Sequence, residues 1–143
     1  MRNKEWELSL IEHQHSMIQR LDKFRKQKKK NTINQDEKMV IEHSFQLLVA
    51  SMLDLAKYVL LNHYQTEATS RKDVLDLLLE HRDITFEQGE QMKALIHLRE
   101  QILFDYLDEN FSFLESAMDL RRYSLVEVLA KEWITQLSNV GER

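Results

Sequence analysis

Three residues carry chemistry out of keeping with their surroundings: Asp54, Arg99 and Tyr106. Stepping by three and four, Met92, Leu95, Arg99, Ile102 and Tyr106 make one stripe of an amphipathic helix, and its centre is an arginine. A guanidinium keeps its proton in proteins, so on a buried face it needs an anion opposite. Asp54 lies between Leu53 and Leu55 in the most apolar stretch of the chain, where an ionised carboxylate must be paired or hydrogen-bonded. An Asp54–Arg99 ion pair is therefore expected. Arg99 and Tyr106, seven residues apart, share a helix face about 10 Å apart along its axis. In one account the Arg99–Asp54 pair holds two helices in register with Tyr106 packed beside it. In the other, the three line a cleft where the guanidinium binds a phosphate and the phenol offers a hydroxyl. The residues alone leave both open.

Other chemistry has little support. There is no glycine-rich phosphate loop, H-E-x-x-H pair or G-x-S-x-G elbow. Of six histidines, His13 and His15 point to different sides of a helix, and none pairs at i, i+4 with another histidine. They are expected at the surface or at caps, with no metal site and no cofactor. The absence of cysteine removes disulfides, thiolate metal sites and cysteine nucleophiles and fits a reducing compartment. The run K-F-R-K-Q-K-K-K, Lys23 to Lys30, reads either as a phosphate-contacting strip or as cations at the negative end of a helix dipole, running into a solvated loop. No aromatic residue after Phe24 interleaves with the lysines, which favours the second. Arg121 and Arg122 read as a solvated pair, able to hold phosphate only if they face a cleft.

The elements that must position these residues are helical. The chain has 143 residues, no proline and two glycines, and helix formers dominate. That length suits one domain, residues 1–143, with a real core. A net charge of −4 with 31% charged residues excludes a generally basic nucleic-acid binder but not a local basic patch. The N-terminus lacks the apolar run of a signal peptide. The longest apolar run, Leu47 to Leu61, is too short for a membrane span and carries Asp54 and Lys57. A cytoplasmic protein is expected.

Periodicity predicts a first helix from about Lys4 to Lys26 and a second, capped by Asn34 or Asp36, to about His63. The second is apolar on most of its circumference, so it is either central in the bundle or covered on its outer side by a second copy. In so small a bundle the second copy, a homodimer, is favoured. Ser70 caps a short helix, Lys72 to Glu80. Thr85 and Gln88 form a capping-box pattern that opens the Arg99 helix, which runs to about Glu109. Asn110 caps the last helix, which breaks or kinks near Tyr123, where Ser124 and Glu127 repeat the box pattern. The expected fold is all-α, an up-and-down four-helix bundle with an extra short helix.

In this order of parts, the stretch from about Asp36 to Leu114 resembles the HepT-like family of HEPN-domain (higher eukaryotes and prokaryotes nucleotide-binding) proteins. The matching pieces are V-A-S-M-L-D-L-A with Asp54, the short helix S-R-K-D-V-L-D-L-L-L, and D-I-T-F-E-Q-G-E-Q-M-K-A-L-I-H-L-R. The family motif is arginine, four residues, histidine, one residue, tyrosine. Here R-E-Q-I-L-F-D-Y keeps Arg99 and Tyr106, puts Phe104 at the histidine and Glu100 where an asparagine often follows the arginine. In this it is most similar to the YutE-like branch, which also lacks the histidine.

The resemblance implies a HEPN-like helical homodimer whose motif helices meet across the interface. Active members of the family are metal-independent ribonuclease toxins, paired with a minimal nucleotidyltransferase that can modify the motif tyrosine with AMP. The arginine steadies phosphate charge and the histidine moves the proton of the ribose 2′-hydroxyl. Phe104 can neither move that proton nor hydrogen-bond, and Glu100 repels a phosphate. His97 lies about 160° around the helix from Arg99 and replaces the lost histidine only in a different geometry. The expectation is a dimeric, toxin–antitoxin-related module that binds RNA, a nucleotide or a nucleotidyltransferase through a cleft at Asp54, Arg99 and Tyr106, its ribonuclease motif decayed. The alternatives are an active ribonuclease toxin with an altered catalytic set, and a helical scaffold with a structural Arg99–Asp54 pair.

Overall fold

The computed structural model describes residues 2–104 and 111–141. Tyr106, the expected helix end at Glu109 and the expected cap at Asn110 lie outside the described residues; of Phe104 only the backbone is described. Six helices follow in order: α1 (Lys4–Lys28), α2 (Gln35–Tyr64), α3 (Arg71–Glu80), α4 (Phe86–Phe104), α5 (Phe111–Asp119) and α6 (Ser124–Gly141).

Helix starts follow from local side-chain chemistry. Asn34 accepts from the Glu37 amide while the Glu37 carboxylate accepts from the Asn34 amide, satisfying two orphan donors reciprocally. Thr85 and Gln88 do the same at α4, and Ser70 accepts from the Asp73 amide at α3. The break expected near Tyr123 separates α5 from α6, but by another device than a Ser124–Glu127 box. Arg121 takes a left-handed conformation, φ 50°. Its amide donates to the Met118 carbonyl and that of Arg122 to the Ala117 carbonyl, a Schellman end. Arg82, φ 59°, closes α3 likewise, with its own amide on Leu79 and that of Asp83 on Leu78.

Contacts at the ends of the bundle set the up-and-down course. Glu7 meets Tyr58 and Gln27 meets Glu37, so α1 and α2 are antiparallel. Arg2 reaches Leu137 and Ser138 while Asp22 meets Arg121 and Tyr123, so α6 runs antiparallel to α1. Tyr64 stacks on His81 and Arg99 reaches Gln46, so α4 descends along α2. These four layers, with α5 continuing into α6, form the four-helix bundle, and α3 is the extra short helix.

Helix α2 packs against α1, α3, α4 and α6. Its own neighbours therefore cover more than half of its circumference, and the central position accounts for much of its apolar character. By composition α2 is long and apolar enough to cross a membrane, with a mean hydropathy of 1.4, but 61% of that window is buried inside the bundle. Phe45, Leu48, Met52, Leu55 and Leu60 are fully buried and meet Leu21, Leu78, Met92, Leu114 and Trp133 in one continuous core.

Candidate functional site

Arg99 is held by the α4 stripe. Met92 and Leu95 are buried, which fixes the face of α4 turned to α2, and Arg99 follows one turn later at the seam between the helices. Its side chain is half-buried, and Nε donates to the main-chain carbonyl of Gln46 at 3.3 Å. Burial, and next the positive charge of Arg71, pull the Arg99 pKa below its usual value, while Glu100 and Asp54 raise it. A guanidinium remains charged under such shifts.

The expected Asp54–Arg99 pair is not formed. No carboxylate among the described residues lies within ion-pair distance of Arg99, and Asp54 is exposed. Leu53 and Leu55 are both buried, but each is turned about 100° from Asp54, and α2 keeps one uncovered arc on which Asp54 stands. There the carboxylate is solvated and needs no partner. Its charge acts on Arg99 only through space. Asp54 and Arg99 are thus neighbours along one face and not a structural ion pair.

Glu100, the residue expected to repel a phosphate, is occupied. Arg71, from the first turn of α3, holds its carboxylate at 2.8 Å. The result is a cation at residue 99 with two uncommitted guanidinium nitrogens among the described residues, flanked by a neutralised acid. Such a group offers paired donors to a phosphate or carboxylate. His97 does not join it: it lines a separate cleft of about 970 Å³ with Leu98 and Gln101 of α4 and Leu125 of α6. No cluster of three or more metal-ligating side chains occurs among the described residues.

Other polar devices were not visible in the sequence. Asp22 of α1 accepts two hydrogen bonds from Arg121, at 2.8 and 2.7 Å, and one from the Tyr123 hydroxyl. Arg121 is therefore committed to Asp22, Arg122 is exposed, and both line the cleft that also holds His97. The Arg121 guanidinium, and next the Tyr123 hydroxyl, hold the Asp22 carboxyl below its usual range against the opposing effect of burial. Glu7, 4% exposed, accepts from Arg2 at 2.8 Å and from the Tyr58 hydroxyl at 2.5 Å, and Arg2 foremost lowers its pKa. At the α2–α3 end, both carboxylate oxygens of Asp83 are buried without a formed hydrogen bond among the described residues. Burial first, then proximity to Asp83, push the adjacent Tyr64 hydroxyl up to about 12. No sequence signal announces these, because each depends on a partner far along the chain: Arg121 for Asp22, Tyr58 for Glu7, Asp83 for Tyr64.

Compared with models of protein families, with curated proteins and with solved structures, the chain gives no significant match.

Proposed function

We propose that the chain is a non-catalytic, HEPN-like helical module that binds RNA through a backbone phosphate at Arg99. One observation carries this: Arg99 is half-buried at the α2–α4 seam with no carboxylate partner among the described residues, and Arg71 neutralises the adjacent Glu100. Desolvating a guanidinium without an anion is costly, and an incoming phosphate supplies that anion. Asp54 bounds the site by charge on one side. Tyr106 belongs to it by the motif spacing alone. With Phe104 at the histidine position, the site holds phosphate charge without a group that takes up the 2′-hydroxyl proton.

The same proposal includes a homodimer and a nucleotidyltransferase partner. The apolar surface exposed by Phe113, Leu120 and Val128, at 54, 63 and 46%, favours a protein partner of some kind. Fluorescence anisotropy with a labelled oligoribonucleotide tests the central point. Binding that falls tenfold or more in Arg99→Ala supports it, and equal binding by the variant rejects it.

A further inference from the structure

On the uncovered arc of α2, two flanking contacts define a valley. Gln46 accepts from Arg99 of α4, and Ser44 accepts from Arg20 of α1 at 3.4 Å. These two positions lie about 160° apart around α2, and the arc between them carries Val40, His43 and Leu47. Arg99 forms one wall of the valley, and Arg20 and Lys23 the other. Near the lower end Phe24 and Val40 line a concavity of about 400 Å³ together with Arg20 and Lys23.

The valley opens onto the basic end of α1. From Lys23 to Lys30 the chain has six cations and no carboxylate, and the remaining residues carry 14 cations against 24 carboxylates. A protein of net charge −4 thus concentrates positive charge at one end of its bundle. Lys28 is committed to Glu115 and Asp119. Lys23, Lys26, Lys29 and Lys30 are exposed and have no carboxylate partner among the described residues. Dipole compensation at a helix end needs only one or two cations in the last turn; four more unpaired charges attract a polyanion.

We propose that this valley and the Lys23–Lys30 end form a track for the backbone of single-stranded RNA, running from Arg99 to the end of α1; the choice of RNA rests on the function proposed above. Contacts of α2 with Gln27 and with Arg99, at Glu37 and Gln46, are nine residues apart, so the track spans about 14 Å of helix axis before the lysines begin. Single-strand grooves join backbone-tracking cations to aromatic and apolar surface that takes base faces; here Phe24, Val40 and Leu47 supply that surface. A flat anionic bilayer engages the exposed lysines but does not reach a half-buried guanidinium on the inner wall of a valley. A strand does both.

The test is a salt titration of binding to oligo(U), with phosphatidylserine–phosphatidylcholine vesicles as the second polyanion. The proteins are wild type, the triple variant K26Q/K29Q/K30Q, Arg99→Ala, and the remote control K72Q/K131Q, each checked for an unchanged thermal midpoint. Loss of three phosphate contacts lowers the slope of log K against log salt by about two. The expected result is that loss in the triple variant, an unchanged slope in the control, and weak vesicle binding by all. An unchanged slope in the triple variant overturns the track. Undiminished affinity in Arg99→Ala overturns the Arg99 site instead, so the two failures are distinct. Vesicle binding that depends on the lysines, without RNA binding, replaces the strand with a membrane surface and overturns the proposal.

Discussion

Arg99 donates its Nε to the main-chain carbonyl of Gln46 at 3.3 Å, and among the described residues this long hydrogen bond is its one fixed attachment. A half-buried cation so loosely held contributes little to the fold. Arg99→Met, which keeps the aliphatic stem and removes a charge that is partly desolvated without an anion, is therefore expected to leave unfolding free energy unchanged or raise it, by up to about 1 kcal/mol. It is expected at the same time to weaken RNA binding tenfold or more. Urea denaturation and anisotropy on one preparation check both; a destabilisation of several kcal/mol would make Arg99 structural.

Arg71 governs the site without belonging to it. Its pairing with Glu100 keeps a negative charge from acting fully beside Arg99. In Arg71→Ala that charge is released, and RNA affinity is expected to fall about three- to tenfold. Glu100→Gln in the same background is expected to restore it. A titration series over the single and double variants reads the coupling.

Acid sensitivity follows from Asp22 and Glu7. Both carboxyls are held below their usual range in the folded state by arginine and tyrosine partners. A depressed folded pKa gives stability that is present above the unfolded value, about 4, and is lost as pH falls through the folded one. Unfolding free energy is expected to decline below about pH 4 in the wild type and less steeply in Asp22→Asn. Asp22→Ala also strips the buried Tyr123 hydroxyl of its acceptor and is expected to cost about 1–3 kcal/mol at neutral pH. Denaturation curves over a pH series measure both effects.

Asp83 differs from both, a buried carboxylate beside Tyr64 with no well-formed hydrogen bond among the described residues. Asp83→Asn removes a buried charge and is expected to leave stability unchanged or raise it, by up to about 2 kcal/mol. It is also expected to lower the titration of Tyr64 from about 12, though not to an ordinary value, because burial remains the larger cause. Since a raised folded pKa gives stability lost as pH rises, alkaline unfolding between about pH 10 and 12 reports the same change. Tyrosinate absorbance and thermal melts at high pH check it.

Local chemistry made much of the fold legible. Asn34, Ser70 and the Thr85–Gln88 pair announce helix starts because each cap is completed within four residues. Arg121 and Arg82 close helices in a conformation that usually calls for glycine, so composition gives no warning. Asp54 shows the limit of periodicity. Apolar neighbours on both sides suggest burial, yet one helix step turns a residue by about 100°, and only the packing of α1 and α4 decides which arc stays open. For the same reason Arg99 was identifiable as anomalous, while its hydrogen bond to Gln46 and the Arg71–Glu100 pair that shields it were not.

Whether the Arg99 site binds without cutting is decided most directly by one incubation. End-labelled oligo(U) is held with excess wild type or Arg99→Ala, without divalent cations, and each sample is divided between a native and a denaturing gel. The expected result is a wild-type complex that Arg99→Ala loses, with full-length RNA recovered from both. RNA shortened by the wild type and intact with Arg99→Ala contradicts the account, and so does a complex that forms equally well with the variant.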